Sequence, residues 1–474
     1  MNSYLRDIVQ NGALMTTTVT GLVVLLAEAS RRGRPVLSYY LSLAGLLVAA
    51  ATAVVQLPWS GPSFGGMIMH GGYADFFAIL FTVAGAMTVA VSRPYFERLE
   101  WVRGEYYLLI LFAVAGMILI ASANDLIVLF LGIELMSVCL YVLAGLLRVR
   151  DRSNEAALKY FLLGAFSTGF LLYGIAFVYG VVGSTNYDII RAAFPAVSSQ
   201  LMFLAGVGLL IVGLSFKVAA VPFHMWAPDV YEGAPTAVTA FMSTAAKAAA
   251  FSGFLTLFVR TFQYVGSDVN DILAAISAAS MILGNVVAIA QTNIKRMLAY
   301  SSVAHAGYML AGVAAASPDG QTGVMFYLAA YTCMNIGAFA IVSFLEEREE
   351  RCLTLDDYMG LSKQQPFLAA LMATFMFTLA GVPPFAGFFG KYYVFLAAVK
   401  ANLTWLAIVG VLTSLVSAYY YLRIVVLMYF RDGAATVSVK PSLPALITVV
   451  LAALLVLQLG IYPSFVVQAA QRFF

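Results

Sequence analysis

Uninterrupted apolar runs of about 20 residues, the length that crosses a bilayer core, recur along the sequence from Gly12 onward. The breaks between these runs are short and polar. Because a bilayer offers backbone groups no hydrogen-bond partners, each run is expected to be helical. With 62% apolar residues, 10% charged residues and a mean hydropathy of +0.91, the chain is predicted to be an all-α polytopic membrane protein without a soluble domain.

These runs predict about fourteen transmembrane helices that form one bundle. The predicted spans cover about residues 12–30, 37–57, 73–91, 106–122, 124–147, 155–180, 201–221, 235–260, 270–292, 294–316, 321–345, 364–400, 402–430 and 442–470. The N-terminal MNSYLRDIVQ lacks the basic segment, short apolar stretch and cleavage site of a secretory signal, so no cleaved peptide is expected.

Several classes of function have no support in the sequence. The formal net charge of +3 is dispersed among loops and forms no basic patch for nucleic acid. The sequence holds no Walker loop, dinucleotide-binding fingerprint or nucleophile elbow, so ATP, nicotinamide and hydrolase chemistry are not expected on this chain. Cys139, Cys333 and Cys352 form no C-x-x-C pair and the three histidines are scattered, so no disulfide, iron–sulfur cluster or zinc site is expected.

Lysine and arginine in alternate loops predict the orientation of the bundle. One set of loops holds sixteen basic residues: Arg31, Arg32, Arg34, Arg93, Arg98, Arg103, Arg148, Arg150, Arg152, Lys295, Arg296, Arg348, Arg351, Lys363, Arg431 and Lys440. The opposite set holds five: Arg6, Arg191, Arg260, Lys400 and Arg472. Because basic loops stay in the cytoplasm, both termini are predicted to face the periplasm of a bacterial inner (plasma) membrane.

The remaining five basic residues lie inside predicted spans: Lys159, Lys217, Lys247, Lys391 and Arg423. A charge at the bilayer centre costs about 2.5 kcal/mol or more unless it is paired or hydrated. Lys159 and Arg423 lie towards the inner ends of their spans, so snorkelling and a functional role are both open for them. The other three lysines lie too deep to snorkel, and a role in transport is favoured over stray structural ion pairs.

Glu134 is a carboxylate deep inside a predicted span, and it is the natural partner of a buried lysine. A carboxylate beside a lysine stabilises the charged form of that lysine, and its withdrawal favours proton release. A pair of Glu134 and Lys217 is therefore predicted to act as a switch. Asp75 and Glu28 lie near span ends and are expected at the interface, and Glu155 is expected to cap a helix start.

Two predicted spans are interrupted by proline. In SFKVAAVPFHMWAP, Pro222 removes a backbone hydrogen bond, so helix seven is predicted to open within about a turn of Lys217. In LAGVPPFAGFFGK, Pro383 and Pro384 open helix twelve about two turns before Lys391. Discontinuous helices in matching positions of two halves are typical of the transport sites of repeat-built transporters.

The two breaks lie five spans apart, and a unit of five helices inverts its orientation in the membrane. Spans four to eight and nine to thirteen are therefore predicted to be two inverted five-helix repeats. The chain then divides into three N-terminal helices in 1–105, half-channel repeats in 106–262 and 263–430, and a C-terminal helix in 431–474. Both break lysines fall on the outer side of their breaks, so the two repeats are expected to have diverged in function.

Histidine can accept and donate a proton on opposite ring nitrogens. His305, in the tenth span, is therefore a candidate relay between the two halves, with a packing role as the alternative. His224, two residues after Pro222, is a candidate to line the opened helix. His70 lies in a predicted outer loop and is assigned no role.

Three stretches carry a resemblance to a known family. They are SFKVAAVPFHMWAPDVYEGAPTAVTAFMSTAAKAAAF, TNIKRMLAYSSVAHAGYML and LAGVPPFAGFFGKYYVF. Together they resemble the antiporter-like subunits shared by respiratory complex I and multisubunit sodium/proton antiporters, and the resemblance covers essentially the whole chain. It implies proton translocation by Glu134, Lys217, Lys247 and Lys391, with Lys159, His305 and His224 as auxiliary relay residues.

Chain length and the GFFGK motif favour one branch of that family, the subunit that packs near the small membrane subunits next to the quinone-binding module. The resemblance implies that this chain binds no redox cofactor. By the same resemblance it is expected to act within a larger translocase, a NADH:quinone oxidoreductase that would use NADH or a similar donor, FMN, iron–sulfur clusters and quinone. Its expected partners are an adjacent antiporter-like subunit, the small membrane and peripheral subunits, and the lipid bilayer. The alternatives are a subunit of a sodium/proton antiporter and a membrane scaffold.

Overall fold

The computed structural model describes residues 3–30, 35–262, 267–346, 352–433 and 441–473. Its α-helices are α1 Ser3–Gln10, α2 Gly12–Ser30, α3 Pro35–Gln56, α4 Gly72–Arg98, α5 Glu105–Ser122, α6 Leu126–Ala144, α7 Asp151–Val182, α8 Tyr187–Val197, α9 Leu201–Lys217, α10 Trp226–Gly233, α11 Thr236–Phe241, α12 Lys247–Phe254, α13 Ser267–Ile289, α14 Ile294–Ala314, α15 Pro318–Leu345, α16 Leu361–Gln364, α17 Pro366–Ala380, α18 Ala386–Lys400, α19 Thr404–Phe430, α20 Leu443–Ile461 and α21 Ser464–Gln471. Six of the basic loop residues used to predict orientation lie outside the described residues: Arg31, Arg32, Arg34, Arg348, Arg351 and Lys440.

Within these described ranges, 11 helices are long and apolar enough to cross a membrane. The prediction of an all-α membrane bundle is therefore confirmed. Two shorter apolar helices, α9 and α17, each end at a break in a predicted span. The last predicted span is wrong in one respect, because α20 ends at Ile461 and α21 is a separate short helix.

The burial of the helices differs strongly between the centre and the rim of the bundle. A continuous helix over Thr236–Thr261 has every residue of its most apolar window buried, whereas the corresponding share for α2 is 28%. That central helix contains α11, α12 and two π-helical segments, Met242–Ala246 and Leu255–Thr261. It carries Lys247, so this lysine occupies the innermost helix of the described bundle.

Both proline-containing breaks interrupt their helices where the sequence predicts. The first helix ends at Lys217, and the chain becomes helical again at Trp226. The second ends at Ala380, followed by Gly381 in the left-handed region at φ +86°, and helix resumes at Ala386. The expected capping role of Glu155 is wrong, because α7 begins earlier, at Asp151.

A two-stranded antiparallel hairpin, β1 Gly61–Ser63 and β2 Ile68–His70, joins α3 to α4 and was not predicted. The Asn11 side chain donates to Ser63 Oγ at 3.1 Å, and the backbone N–H of Asn124 donates to the Met67 carbonyl at 2.9 Å. These contacts bring the start of α2 and the loop between α5 and α6 to the same end of the bundle. We call it the hairpin end.

Candidate functional site

Lys217 is the last residue of α9, and its ammonium group turns towards α6. Its Nζ donates to Ser137 Oγ at 2.8 Å and to the Tyr141 hydroxyl at 3.4 Å. The indole of Trp226 donates to the Phe216 carbonyl at 3.0 Å, which ties the start of α10 to the last turn of α9. The buried lysine is thus held at the break by two neutral hydroxyls.

Glu134 lies on α6, three residues before Ser137, so the two side chains neighbour each other on one helix face. Its Oε1 accepts a hydrogen bond from Thr168 Oγ1 at 2.8 Å. Among the described residues, Glu134 makes no direct ion pair with Lys217, whose hydrogen-bond partners are hydroxyls. The predicted direct pairing is therefore not present in this structure, although the carboxylate lies on the helix that supplies both hydroxyls.

Lys247 begins α12, directly after the first π-helical segment, and it is almost fully buried. Its Nζ donates to the Ser302 carbonyl at 2.6 Å and contacts the Ser302 hydroxyl. Ser302 lies on α14, three residues before His305. The central helix and α14 therefore meet at this lysine.

His305 has a hydroxyl partner on each ring nitrogen. Nδ1 lies 2.8 Å from the Tyr327 hydroxyl, and Nε2 lies 3.0 Å from the Tyr421 hydroxyl. The Tyr421 hydroxyl also contacts the hydroxyl of Ser301. The imidazole is buried among aromatic rings and is bonded on both sides, an arrangement that allows protons to enter and leave on opposite nitrogens.

Lys391 lies in the second turn of α18, after the second break. Its Nζ donates to the Ala380 carbonyl at 2.9 Å, the Leu379 carbonyl at 3.3 Å and Ser414 Oγ at 2.7 Å. The same nitrogen stands 5.0 Å from the centre of the Tyr308 ring. Both carbonyls belong to the last turn of α17, so this lysine fastens α18 to the helix before the break.

Lys159 belongs to a separate group of charges beside α10. Its Nζ lies 2.7 Å from Glu155 and 2.7 Å from Asp229, and Asp229 also pairs with Arg296 at 2.8 Å. Burial raises the pKa of Asp229, but Lys159 and Arg296 outweigh burial and hold that pKa below its usual range. Arg296 also pairs with Glu232 at 2.9 Å, so the short helix after the first break is clamped between α7 and α14.

His224 lies in the first break, half-buried. Its Nδ1 is buried and has no hydrogen-bond partner within the described ranges. The structure therefore brings together Lys247, Ser302 and the His305 helix, but it leaves His224 outside the hydrogen-bonded contacts of the three deep lysines. Across the described residues, no cluster of three or more His, Cys, Asp or Glu side chains has the arrangement of a metal site.

Sequence reasoning missed the partners of the lysines and of His305, which are neutral: Ser137, Tyr141, Ser302, Tyr327, Tyr421 and Ser414. Serine and tyrosine are frequent in membrane helices, so a single sequence does not distinguish these six hydroxyl residues from the other serines and tyrosines of the chain. Asp229 could have been identified from the sequence as a candidate, because it is a carboxylate seven residues after Pro222 in the segment that follows the break.

Comparison with known proteins adds independent observations. Residues 123–417 match the family described as "NADH:quinone oxidoreductase/Mrp antiporter, TM". A protein of Trichlorobacter lovleyi named NADH-quinone oxidoreductase subunit N is 48% identical over 91% of this chain and 90% of its own length.

Two solved structures share the fold. A chain of respiratory complex I from Thermus thermophilus with bound aureothin is 35% identical, with a TM-score of 0.84 over 97% of this chain and 99% of that one. A chain of the Mrp complex from a Dietzia species has a TM-score of 0.86 over 100% of this chain and 97% of that one. At 22% identity, the second likeness concerns the fold alone.

Proposed function

Because the chain belongs to the NADH:quinone oxidoreductase/Mrp antiporter transmembrane family, and its curated relatives at 42–48% identity are named subunit N, we propose that it is the proton-translocating N subunit of a NADH-quinone oxidoreductase. The observation that carries the proposal is that Lys217, Lys247 and Lys391 are each buried and hydrogen-bonded to neutral groups. A lysine with neutral partners can give up its proton without leaving a lone carboxylate behind.

The proton path of this proposal runs between the two halves of the bundle. Lys217 stands at the first break, Lys247 at the centre and Lys391 at the second break, with His305 one helical turn from the Ser302 contact of Lys247. The two tyrosine hydroxyls let the imidazole pass a proton from one nitrogen to the other. Bridging water molecules would complete the steps between these groups.

Lys391 can exchange a proton without releasing its helix. A neutral amine keeps two N–H donors and gains one lone pair. The two donors remain available for the Leu379 and Ala380 carbonyls, and the lone pair can accept a hydrogen bond from Ser414. Proton transfer at this lysine therefore passes through the Ser414 side.

The membrane arrangement is part of the same proposal. Fourteen spans, with spans four to eight and nine to thirteen as inverted repeats, agree with two broken helices five spans apart. The excess of basic residues in alternate loops supports a periplasmic position for the hairpin end and both termini. Lys159 and His224 are auxiliary members on the cytoplasmic side of the first break.

This chain holds no redox cofactor in the proposed enzyme. NADH or a similar donor, FMN, the iron–sulfur clusters and quinone would be bound by partner subunits, and quinone chemistry there would drive the proton movement here. The chain supplies the buried lysines, Glu134 and His305. Its partners are the neighbouring antiporter-like subunit and the small membrane subunits.

A second candidate function is a subunit of a sodium/proton antiporter, which the fold of the Dietzia Mrp chain favours. The 35% identity to the Thermus complex I chain, against 22% for the Mrp chain, favours the oxidoreductase. Purification of the native assembly distinguishes the two, because flavin and iron–sulfur absorbance accompany only the oxidoreductase.

The test of the proposal is Lys247→Ala in the purified complex reconstituted into vesicles. Assembly and electron transfer to quinone should be detectable, while proton pumping is largely lost, because alanine cannot carry a proton at the centre of the bundle. Lys247→Arg should also be impaired, since a guanidinium group hardly deprotonates. The matched control is Lys363→Ala, which removes an exposed lysine paired with Asp432. Full pumping by Lys247→Ala would refute the assignment.

A further inference from the structure

A cavity of about 540 Å³ opens at the hairpin end. The hairpin, the end of α5, the second π-helical segment and α21 surround it. Its polar lining includes His70, Asn124, Thr256, Arg260 and Arg472. Its size lies within the range of small-molecule binding pockets, and none of the residues proposed for proton transfer lines it.

Basic residues are scarce at this end of the bundle. Two of the five predicted there are neutralised by surface ion pairs: Arg191 lies 2.9 Å from Asp188, and Lys400 lies 2.6 Å from Asp319. The positive charge of these two residues is therefore already balanced in the chain.

The other three arginines, Arg6, Arg260 and Arg472, make no ion pair within the described part of the chain, and all three lie at or near this cavity. Arg260 and Arg472 line it, and its described lining contains no carboxylate. Arg6 and Asp7 both lie close enough to His70 to act on it: burial lowers the pKa of His70, the charge of Arg6 lowers it further, and the carboxylate of Asp7 partly offsets both effects. Arg260 and Arg472 therefore bring two guanidinium groups without ion-pair partners in the described chain to the wall of one cavity.

Exposed aromatic side chains indicate the level of the cavity along the membrane normal. Trp59, which lies between the lining residues Pro58 and Ser60, is 61% exposed, and Tyr462 at the end of α20 is 69% exposed. Exposed tryptophan and tyrosine collect at the level of the lipid headgroups. The cavity therefore opens where a bilayer presents its phosphates.

We propose that this cavity binds the phosphate headgroup of an anionic phospholipid of the periplasmic leaflet. The guanidinium groups of Arg260 and Arg472 match a phosphodiester by paired hydrogen bonds. The apolar side chains of Leu57, Met69 and Phe473 line the same cavity and suit the glycerol backbone and the first methylene groups. Basic pockets between transmembrane helices are established lipid sites in general.

A lipid fits the observations better than either competing occupant. A soluble anion has no need of the apolar wall or of a position at headgroup depth. An acidic segment of a neighbouring subunit would satisfy the arginines equally well, but it would make the site independent of lipid composition. The inference does not depend on the proposed proton path.

The test uses the purified, delipidated complex and the double variant Arg260→Gln/Arg472→Gln, with Lys400→Gln as a control that removes a paired charge from the same end. Phosphatidylglycerol should raise the thermal midpoint of the wild type and of the control, while phosphatidylcholine should have a much smaller effect. The double variant should bind phosphatidylglycerol about tenfold more weakly or worse, because charge-assisted hydrogen bonds are lost. Mass spectrometry of the lipid that co-purifies with each complex before delipidation gives a second readout.

Three outcomes would overturn the proposal. One is an equal phosphatidylglycerol effect in the wild type and the double variant. Another is an equal effect of inorganic phosphate, which would assign the cavity to a soluble anion. The third is wild-type stability that is indifferent to lipid while the double variant loses a partner subunit, which would assign the arginines to a protein interface. If the double variant fails to assemble, Arg472→Gln alone, at an exposed position, decides the same question.

Discussion

The two broken helices use their lysines differently. At the second break, Leu379 and Ala380 lack their usual backbone donors, because the residues four positions later are Pro383 and Pro384. Lys391 donates to both of these carbonyls. At the first break, by contrast, Lys217 donates to hydroxyls of a neighbouring helix.

This difference separates two tasks. Lys391 replaces the hydrogen bonds that two prolines remove, so it is a structural part of its break as well as a candidate proton carrier. Lys217 is free of that structural duty, and its hydroxyl partners can rotate. The first break therefore suits a switch and the second suits a fixed relay.

The largest expected contrast is between Lys391→Met and Lys217→Met. Both changes should abolish pumping, but Lys391→Met should also reduce the yield of assembled complex, because each buried carbonyl left without a donor costs about 1–3 kcal/mol. Lys217→Met leaves hydroxyls that can find other acceptors. Assembly is measured in isolated membranes and pumping in vesicles. Equal assembly yields for the two variants would contradict the structural role assigned to Lys391 alone.

A smaller effect is expected for Glu134, which influences Lys217 without touching it. Glu134→Gln should impair pumping nearly as much as Glu134→Ala, while Glu134→Asp should keep part of the activity because it keeps the charge. In a double-mutant cycle with Lys217→Met, the coupling energy between Glu134 and Lys217 should be about 0.5–1 kcal/mol, which is the low end of the range for interacting residue pairs. Strictly additive losses would mean that the switch does not involve this carboxylate.

The smallest effect is expected at α10, the short charged helix that follows the first break and has no counterpart after the second. Asp229→Asn should lower stability by about 1 kcal/mol or less, since its ion pairs are partly exposed to solvent. Because the pKa of Asp229 is depressed in the folded protein, its stabilisation is complete above the unfolded pKa of about 3.9 and is lost only as pH falls through the lower folded value.

The measurement for this variant is the thermal midpoint of the wild type and of Asp229→Asn between about pH 5 and about pH 8. The difference between the two proteins should stay constant over that window. A difference that shrinks as pH falls within it would show that the carboxylate titrates there, and the clamp on α10 would then itself be pH-sensitive.

The sequence predicted the membrane bundle, both breaks and the buried lysines, because apolar runs, prolines and deep charges are local signals. It did not predict which hydroxyls hold each lysine, since contacts such as Lys217 to Ser137 depend on how separate helices pack. The hairpin at Gly61–Ser63 was missed for a similar reason, because its strands are only three residues long. The Glu134–Lys217 pair was expected from charge alone. In the structure α7 packs against both α6 and α9, and the α6 side chains that hydrogen-bond the lysine are Ser137 and Tyr141.

The π-helical segments of the central helix change how its sequence projects onto its surface. Each π turn accommodates about one residue more than an α turn, so the face presented after the segment is displaced by about 100°. Lys247 directly follows the segment Met242–Ala246, and a second one begins at Leu255. A helical wheel drawn with a constant period over Thr236–Thr261 therefore places this lysine on the wrong face of the helix relative to the residues before the first π-helical segment. The single added residue sets the direction in which the central charge points.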